Sequence, residues 1–465
     1  MDTKIVPGSF RDPSGFLFYG DEILYRQINT CYSKDYELLV NSGLYDDLVA
    51  NDLLIPHEEC DTKLAHTEEA FKVIKPFPIP FISYPYEWSF SQLKDSARLT
   101  LEIQRRALKK KMSLKDASAY NIQFFNGKPI FVDTLSFQRY EDGDPWIAYR
   151  QFCQHFLAPL ALMSRTDIRL NQLLRIFIDG VPLDLAKACL PYPSRWNFSL
   201  GIHISMHARS QRRFANKPIP EILRSKKFST KSFFFLLDSL DSSIGKLTWE
   251  PVKTEWYDYY ECDHNYGKSG FEEKEKIVSE YLDKLASTTV WDIGANTGRF
   301  SRIAASKGAL VIAWDIDPGC VEANYRLVRR KNEKNILPLI LDLANPSPGL
   351  GWNNNERISF LDRGPADTIL ALGVLHHLCI VNNLPLHKIS SFLKGICNSL
   401  IIEFIPKTDS QVQRLLINRK RTIHSYDRAL FEDEFKKYFR ILDAKTIREN
   451  ERILYLMKNR ANTAN

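Results

Sequence analysis

Long apolar runs, internal repeats and paired cysteines are all missing from this sequence, and no export leader is expected. The most apolar short stretches, Phe233-Phe-Phe-Leu-Leu237 and Leu400-Ile-Ile-Glu-Phe404, fall far below the roughly 20 residues a membrane-spanning helix needs, so no membrane span is expected. Residues Met1 to Pro13 contain no basic segment followed by an apolar core, which predicts a cytoplasmic protein. The eight cysteines (31, 60, 153, 189, 262, 320, 379 and 397) are scattered, with no CxxC pair and no zinc spacing. No metal site is therefore expected, and the thiols are expected to be reduced and buried.

What is present is ordinary for a soluble chain of several domains. Its 465 residues, 44% hydrophobic and 26% charged, suffice for two or three domains and exclude wholesale disorder, collagen and coiled coil. The net charge of +7 is locally concentrated: Arg209, Arg212, Arg213, Lys217, Arg224, Lys226, Lys227 and Lys231 share one stretch, opposed there by Glu221 alone. Smaller clusters are Arg105 to Lys111 and Arg419-Lys420-Arg421. A nucleic-acid surface is one reading. Only Phe214 and Phe228 interleave with the main cluster, so a solvated linker and helix faces are the first reading.

The pattern divides into an N-terminal region, 1–245 (a small part over about 1–85, a helical part over about 86–245), and a C-terminal domain, 246–465. In the latter, Gly270 to Leu285 is amphipathic, with Ile277, Val278, Tyr281, Leu282 and Leu285 on one face. Short apolar runs at 290–293, 310–314, 337–341, 368–372 and 400–404 then alternate with helical patterns, and 453–457 suggests a last strand. That alternation predicts an α/β fold, a doubly wound and mostly parallel sheet with helices on both faces.

The most informative segment is Asp292-Ile-Gly294-Ala-Asn296-Thr-Gly298-Arg-Phe300, a strand end, a tight turn and a helix start. Glycine lets the backbone turn sharply and approach a ligand. Asp315 ends the next strand, 23 residues beyond Asp292, about the spacing that sets a carboxylate against a ribose diol. An acid before the turn suits a ligand with a positive amino-acid end and no phosphate. Here the sequence resembles the class I S-adenosylmethionine-dependent methyltransferases, whose first motif is an acid followed by GxGxG; Asn296 replaces the middle glycine. Leu341-Asp342-Leu343 stands where that family places a residue near the adenine. The run Asp367 to Leu378, with Leu372, resembles the fourth motif, and Leu400 to Pro406 resembles the fifth strand. The resemblance implies a Rossmann-like sheet, S-adenosylmethionine as cofactor, and Asp292, Gly294, Asn296, Gly298, Asp315, Asp342 and Leu372 as its binding residues.

In the N-terminal half, Asp116, Asn121 and Asp133 flank an Asn126-Gly127 hairpin turn. An Asp, an Asn five residues on and an Asp after a hairpin resemble the catalytic loop and metal-binding acid of the kinase-like α+β fold. A helix over 97–112 capped by Ser96 fits the same layout. Leu114-Lys115 replace His-Arg, Thr134-Leu135 replace Phe-Gly, no glycine-rich phosphate loop or Val-Ala-Ile-Lys strand appears in 1–80, and Phe16 to Tyr25 reads as a hairpin. The resemblance implies a degenerate kinase-like module.

The whole chain is similar to bacterial methyltransferases of the nodulation-protein type. Ala371-Leu-Gly373 lacks the Asn/Asp-Pro-Pro-aromatic signature of base-amino methylation, so the expected activity is O-methylation of a sugar or other small-molecule hydroxyl. The alternatives are a bifunctional phosphotransferase–methyltransferase and a nucleic-acid methyltransferase. His377, after the fourth strand, is the expected base or acceptor-positioning group, with Glu403 on the fifth strand as a partner that raises its basicity. His376 is expected to be structural.

Overall fold

The computed structural model describes residues 3–192, 203–204, 229–251, 254, 268–417, 425–448 and 451–460. Most of the basic stretch 209–231, and all of Arg419, Lys420 and Arg421, lie outside the described residues. The chain packs as two units: Met1–Trp249 with Gly349–Arg357, and Glu250–Pro348 with Ile358–Asn465.

In the first unit, strands β1 (Thr3–Ile5), β2 (Gly15–Gly20), β3 (Ile23–Asn29), β4 (His57–Cys60) and β5 (Ala70–Pro76) form an antiparallel sheet in the order β1-β2-β3-β5-β4. Helices α1 (Ser33–Asn41) and α2 (Leu44–Ala50) fall between β3 and β4 in sequence. The hairpin read over 16–25 is thus two strands of a larger sheet, turned at Asp21 and Glu22, both at positive φ. Consecutive residues point to opposite faces: Val73 packs with Phe18 and Tyr25, Ile74 with Ile28, Tyr32, Tyr36 and Leu135. Helix α3 (Phe90–Lys109) begins six residues before the sequence-based cap. Ser89 and Gln92 form a reciprocal capping box, while Ser96 is buried inside the helix and donates to the Gln92 carbonyl at 2.8 Å. Beyond α3, β6 (Met112–Leu114) pairs with β9 (Phe137–Arg139). Between them β7 (Ile122–Phe125) and β8 (Lys128–Phe131) form the expected hairpin, with Asn126 at φ 51° and Gly127 at φ 73°. Helices α4 (Ala158–Arg165) and α5 (Thr230–Gly245) follow.

The second unit opens with α6 (Lys268–Leu285) and then alternates β10 (Thr289–Ile293), α7 (Arg299–Ser306), β11 (Leu310–Asp315), α8 (Pro318–Lys331), β12 (Ile336–Ile340) and β13 (Ala366–Ala371). It continues through α9 (Leu386–Ile396), β14 (Cys397–Phe404), α10 (Ser410–Ile417), α11 (Arg428–Lys436), β15 (Phe439–Thr446) and β16 (Ile453–Asn459). The seven strands lie in the order β12-β11-β10-β13-β14-β16-β15, parallel up to β14, with β16 antiparallel between β14 and β15. The α/β fold with a mostly parallel sheet expected from the sequence is present. Ile277, Val278, Tyr281 and Leu282 of α6 are buried in the core with Val290, Val311 and Ile401. Strand order reverses between β10 and β13, and such a switch point opens a crevice at the carboxyl ends of the strands.

Candidate active site

At that crevice lies a cavity of about 630 Å³, lined by residues following β10, β11, β12, β13 and β14 and by others from α6 and α10. The turn after β10 forms its floor. Gly294 adopts φ +76°, and a Cβ there would come within 2.4 Å of Val374 Cγ2. Only glycine satisfies both the conformation and the close approach. Gly298, at φ +80°, precedes α7 and abuts the Asn324 side chain. Gly294 and Asn296 line the cavity, whereas Gly298, expected among the cofactor-binding residues, is not among its lining residues.

Two buried carboxylates face this turn. Asp315 accepts the Asn296 N–H at 2.7 Å and the Asp317 N–H at 2.8 Å. Asp292 accepts the Ser301 hydroxyl at 2.6 Å. Burial pushes Asp292 up to about 7, further raised by the Asp315 charge, and pushes Asp315 up to about 6. A ligand bringing positive charge and hydroxyl donors would stabilise both anions. The donor set and the glycine cradle thus fit S-adenosylmethionine, whose ribose hydroxyls Asp315 would accept and whose ammonium end Asp292 would face. Asp342 is exposed at the cavity beside Leu341 and Leu343, and Leu372 lines it at the end of β13. Asp317 caps α8 through the Gly319 N–H and serves the helix.

The other half of the cavity differs from the expectation. His377 lines it, and so does His376, their rings 4.1 Å apart. Burial alone lowers His377 to about 4, and no carboxylate raises it. His376 is lowered well below its usual range by burial, and further by His377, Arg452 and Lys274, and its Nδ1 has no hydrogen-bond partner among the described residues. Glu403 is fully buried and is not among the cavity-lining residues. It accepts from Lys274 Nζ at 2.8 Å, and Arg452 approaches it at 3.9 Å while donating to Asp409 at 2.9 Å. Glu403, expected as the partner of His377, is instead paired with Lys274, and burial alone sets the direction of the His377 shift. Lys274, Arg452, Gln411 and Arg414, all lining the cavity, were not anticipated. The one signal available for Lys274 was an amphipathic helix with a lysine one turn before its apolar face.

In the first unit, the three kinase-like positions are engaged locally. Asp133 is paired with Arg26 of β3 and with Ser136, and it caps the following turn through the Leu135 N–H. Burial opposes its ionisation, but Arg26 and Ser136 outweigh that and hold Asp133 below the usual carboxylate range. Asp116 is raised by burial and then by the Asp133 charge, and it accepts the Ser118 N–H at 2.9 Å. Asn121 donates to Ser136 at 3.1 Å. Among the described residues no cluster of three or more His, Cys, Asp or Glu could hold a metal ion. Sequence reasoning missed Arg26, a cation in the strand Ile23-Leu-Tyr-Arg-Gln-Ile-Asn29.

No protein-family model matches the chain. Among solved structures, magnesium protoporphyrin IX methyltransferase (ChlM) from Synechocystis PCC 6803 with bound SAH is 20% identical at a TM-score of 0.32, covering 44% of this chain and 98% of that one. The N-methyltransferase NodS from Bradyrhizobium japonicum WM9 with S-adenosyl-l-homocysteine is 12% identical at a TM-score of 0.32, covering 45% and 94%. The curated nodulation protein NoeA of Rhizobium meliloti (strain 1021) is 32% identical over 456 residues, 97% of this chain and 95% of that protein. With that identity along nearly the full length of both sequences, the chain belongs to the family of the nodulation protein NoeA.

Proposed function

We propose that the second unit is an S-adenosylmethionine-dependent methyltransferase acting on a hydroxyl of a small-molecule or saccharide acceptor. The observation that carries this reading is the crevice at the strand switch point, where the Gly294–Gly298 turn and the buried Asp315 carboxylate meet in one cavity. The bound cofactor supplies an electrophilic methyl group on a sulfonium. The chain's own residues would hold and align the reactants: Asp315 accepts ribose hydroxyls, Asp292 faces the ammonium end, and Leu341, Asp342 and Leu372 flank the cofactor half. His377, neutral at physiological pH, would accept the acceptor's proton or orient its hydroxyl. Alignment is then the larger part of the catalysis, because an imidazole held near 4 is a weak base. Among the described residues no helix is long and apolar enough to cross a membrane. The seven described cysteines are all free thiols, which supports a reducing, cytoplasmic location.

The first unit we read as a degenerate kinase-like module. Its support is the five-stranded sheet with helices inserted between β3 and β4, and Asp116, Asn121 and Asp133 gathered around one hairpin. The decisive experiment for the main reading is calorimetry of the full chain with S-adenosylmethionine. Wild type should bind. Asp315→Ala should lose charge-assisted hydrogen bonds of on the order of 1.5–3 kcal/mol each, about tenfold or more in affinity. Equal binding by the two proteins would remove Asp315 from the site.

A further inference from the structure

The cavity carries charges of both signs. Its acids, Asp292, Asp315 and Asp342, follow or end β10, β11 and β12. Its cations, Lys274, Arg414 and Arg452, come from α6, α10 and the segment before β16, and β16 lies on the β13–β14 side of the sheet. Two of these cations are matched by buried carboxylates, Lys274 by Glu403 and Arg452 by Asp409. Arg414 is exposed at the cavity and makes no hydrogen bond or ion pair among the described residues. Gln411, Arg414 and Leu415 stand at i, i+3 and i+4 of α10, so one face of that helix borders the cavity. His377, Leu378 and Val381 of the turn His377–Val381, and Asn382, also line the cavity. In sequence, α10 runs into Asn418-Arg-Lys-Arg-Thr-Ile-His424, which has three cations and no carboxylate to neutralise Arg414.

Resting on the methyltransferase reading above, we propose that the acceptor is a small molecule or saccharide bearing an anionic group (carboxylate, sulfate or phosphate), and that Arg414 recognises that group. A guanidinium offers a fork of donors matched to two oxygens of such an anion. Lining the same cavity as His377, it would fix the acceptor by a group other than the hydroxyl that reacts. Arg414 is therefore a specificity residue, and its removal should leave the cofactor half untouched.

The test uses the full chain loaded with S-adenosylhomocysteine and titrated calorimetrically with glucose, glucuronate, glucose 6-sulfate and glucose 6-phosphate. At least one anionic sugar should bind about tenfold or more tighter than glucose, the effect of one or two charge-assisted hydrogen bonds. The preferred anion separates carboxylate from sulfate from phosphate. Arg414→Gln should erase the preference and Arg414→Lys should keep part of it, with S-adenosylhomocysteine affinity unchanged in both. Binding of S-adenosylhomocysteine with no preference among the sugars, or a preference that survives in Arg414→Gln, overturns the proposal. So does an Arg414-dependent affinity for a 20-nucleotide RNA exceeding that for every sugar, which would make nucleic acid the acceptor class. Absence of S-adenosylhomocysteine binding is a separate result, and it removes the methyltransferase reading itself.

Discussion

At the scale of single residues, the site contains two buried carboxylates above their usual range and two histidines below theirs, and burial is the leading cause of all four shifts. On the proposed reading, the carboxylates set the pH dependence of cofactor binding. Near pH 5 Asp315 and Asp292 are largely protonated; as pH rises through about 6 and about 7 they ionise and become better partners for a cationic ligand. S-adenosylmethionine affinity should therefore increase between pH 5 and 8 and then level off, and Asp315→Asn should bind more weakly with a flatter profile. Calorimetry across that range checks it, and a wild-type affinity independent of pH would show that neither acid titrates against the ligand. His377 makes the stability of the fold depend on pH as well. Its folded pKa of about 4 lies below the usual 6.5, so the unfolded chain takes up the proton first and stability falls as pH drops from about 6.5 to 4. For turnover, His377→Ala should leave cofactor affinity within a few-fold and reduce rate by roughly 10²-fold, the lower end for general-base loss given so weak a base. Near-normal turnover would leave alignment by the cavity as the whole account.

At the scale of elements, what the sequence revealed was what lies close together along the chain. The strand–turn–helix from Asp292 to Phe300 carries its geometry in its own glycines, and the alternation of apolar strands with helices follows from burial on both sheet faces. The pairings that the sequence did not reveal join distant residues: Lys274 with Glu403, and Arg26 with Asp133. Such contacts leave no periodic trace, so a carboxylate in an apolar strand could equally point into the cleft or meet a cation from elsewhere. Glu403 meets the cation. Its side chain is fully buried and that of Lys274 is 6% exposed, so removing the carboxylate leaves an uncompensated interior charge. Glu403→Ala should cost about 3–5 kcal/mol, whereas Lys274→Met/Glu403→Leu together should recover most of that loss. Urea unfolding of the three proteins is the measurement. A single variant as stable as wild type would mean that Arg452 and Asp409 suffice to satisfy the site.

At the scale of the whole molecule, sequence order and packing diverge at Gly349–Arg357, nine residues between β12 and β13 that belong to the first unit. There Glu356 accepts both Arg11 Nε and Nη2, at 3.0 and 2.7 Å, and also the Trp352 N–H at 2.8 Å. Arg357 lies over the Tyr120 ring at 4.0 Å, one residue before Asn121. A fragment ending near residue 245 would lack these partners, so the phosphotransfer test of the first unit requires the full chain. Phosphoryl transfer depends on metal-held phosphates and a positioned acceptor. Asp133, the acid that would hold the metal, is instead ion-paired with Arg26 and bonded to Ser136, and a metal ion would have to displace both. Incubation of the full chain with radiolabelled ATP and Mg²⁺ or Mn²⁺ should therefore release or transfer no phosphate above the level of Asp133→Ala. Arg26→Ala frees the carboxylate without restoring a phosphate loop, and it should gain no activity either. Turnover in wild type that vanishes in Asp133→Ala would mean that the Arg26 pair opens when nucleotide arrives. The first unit would then be a working phosphotransferase beside the methyltransferase.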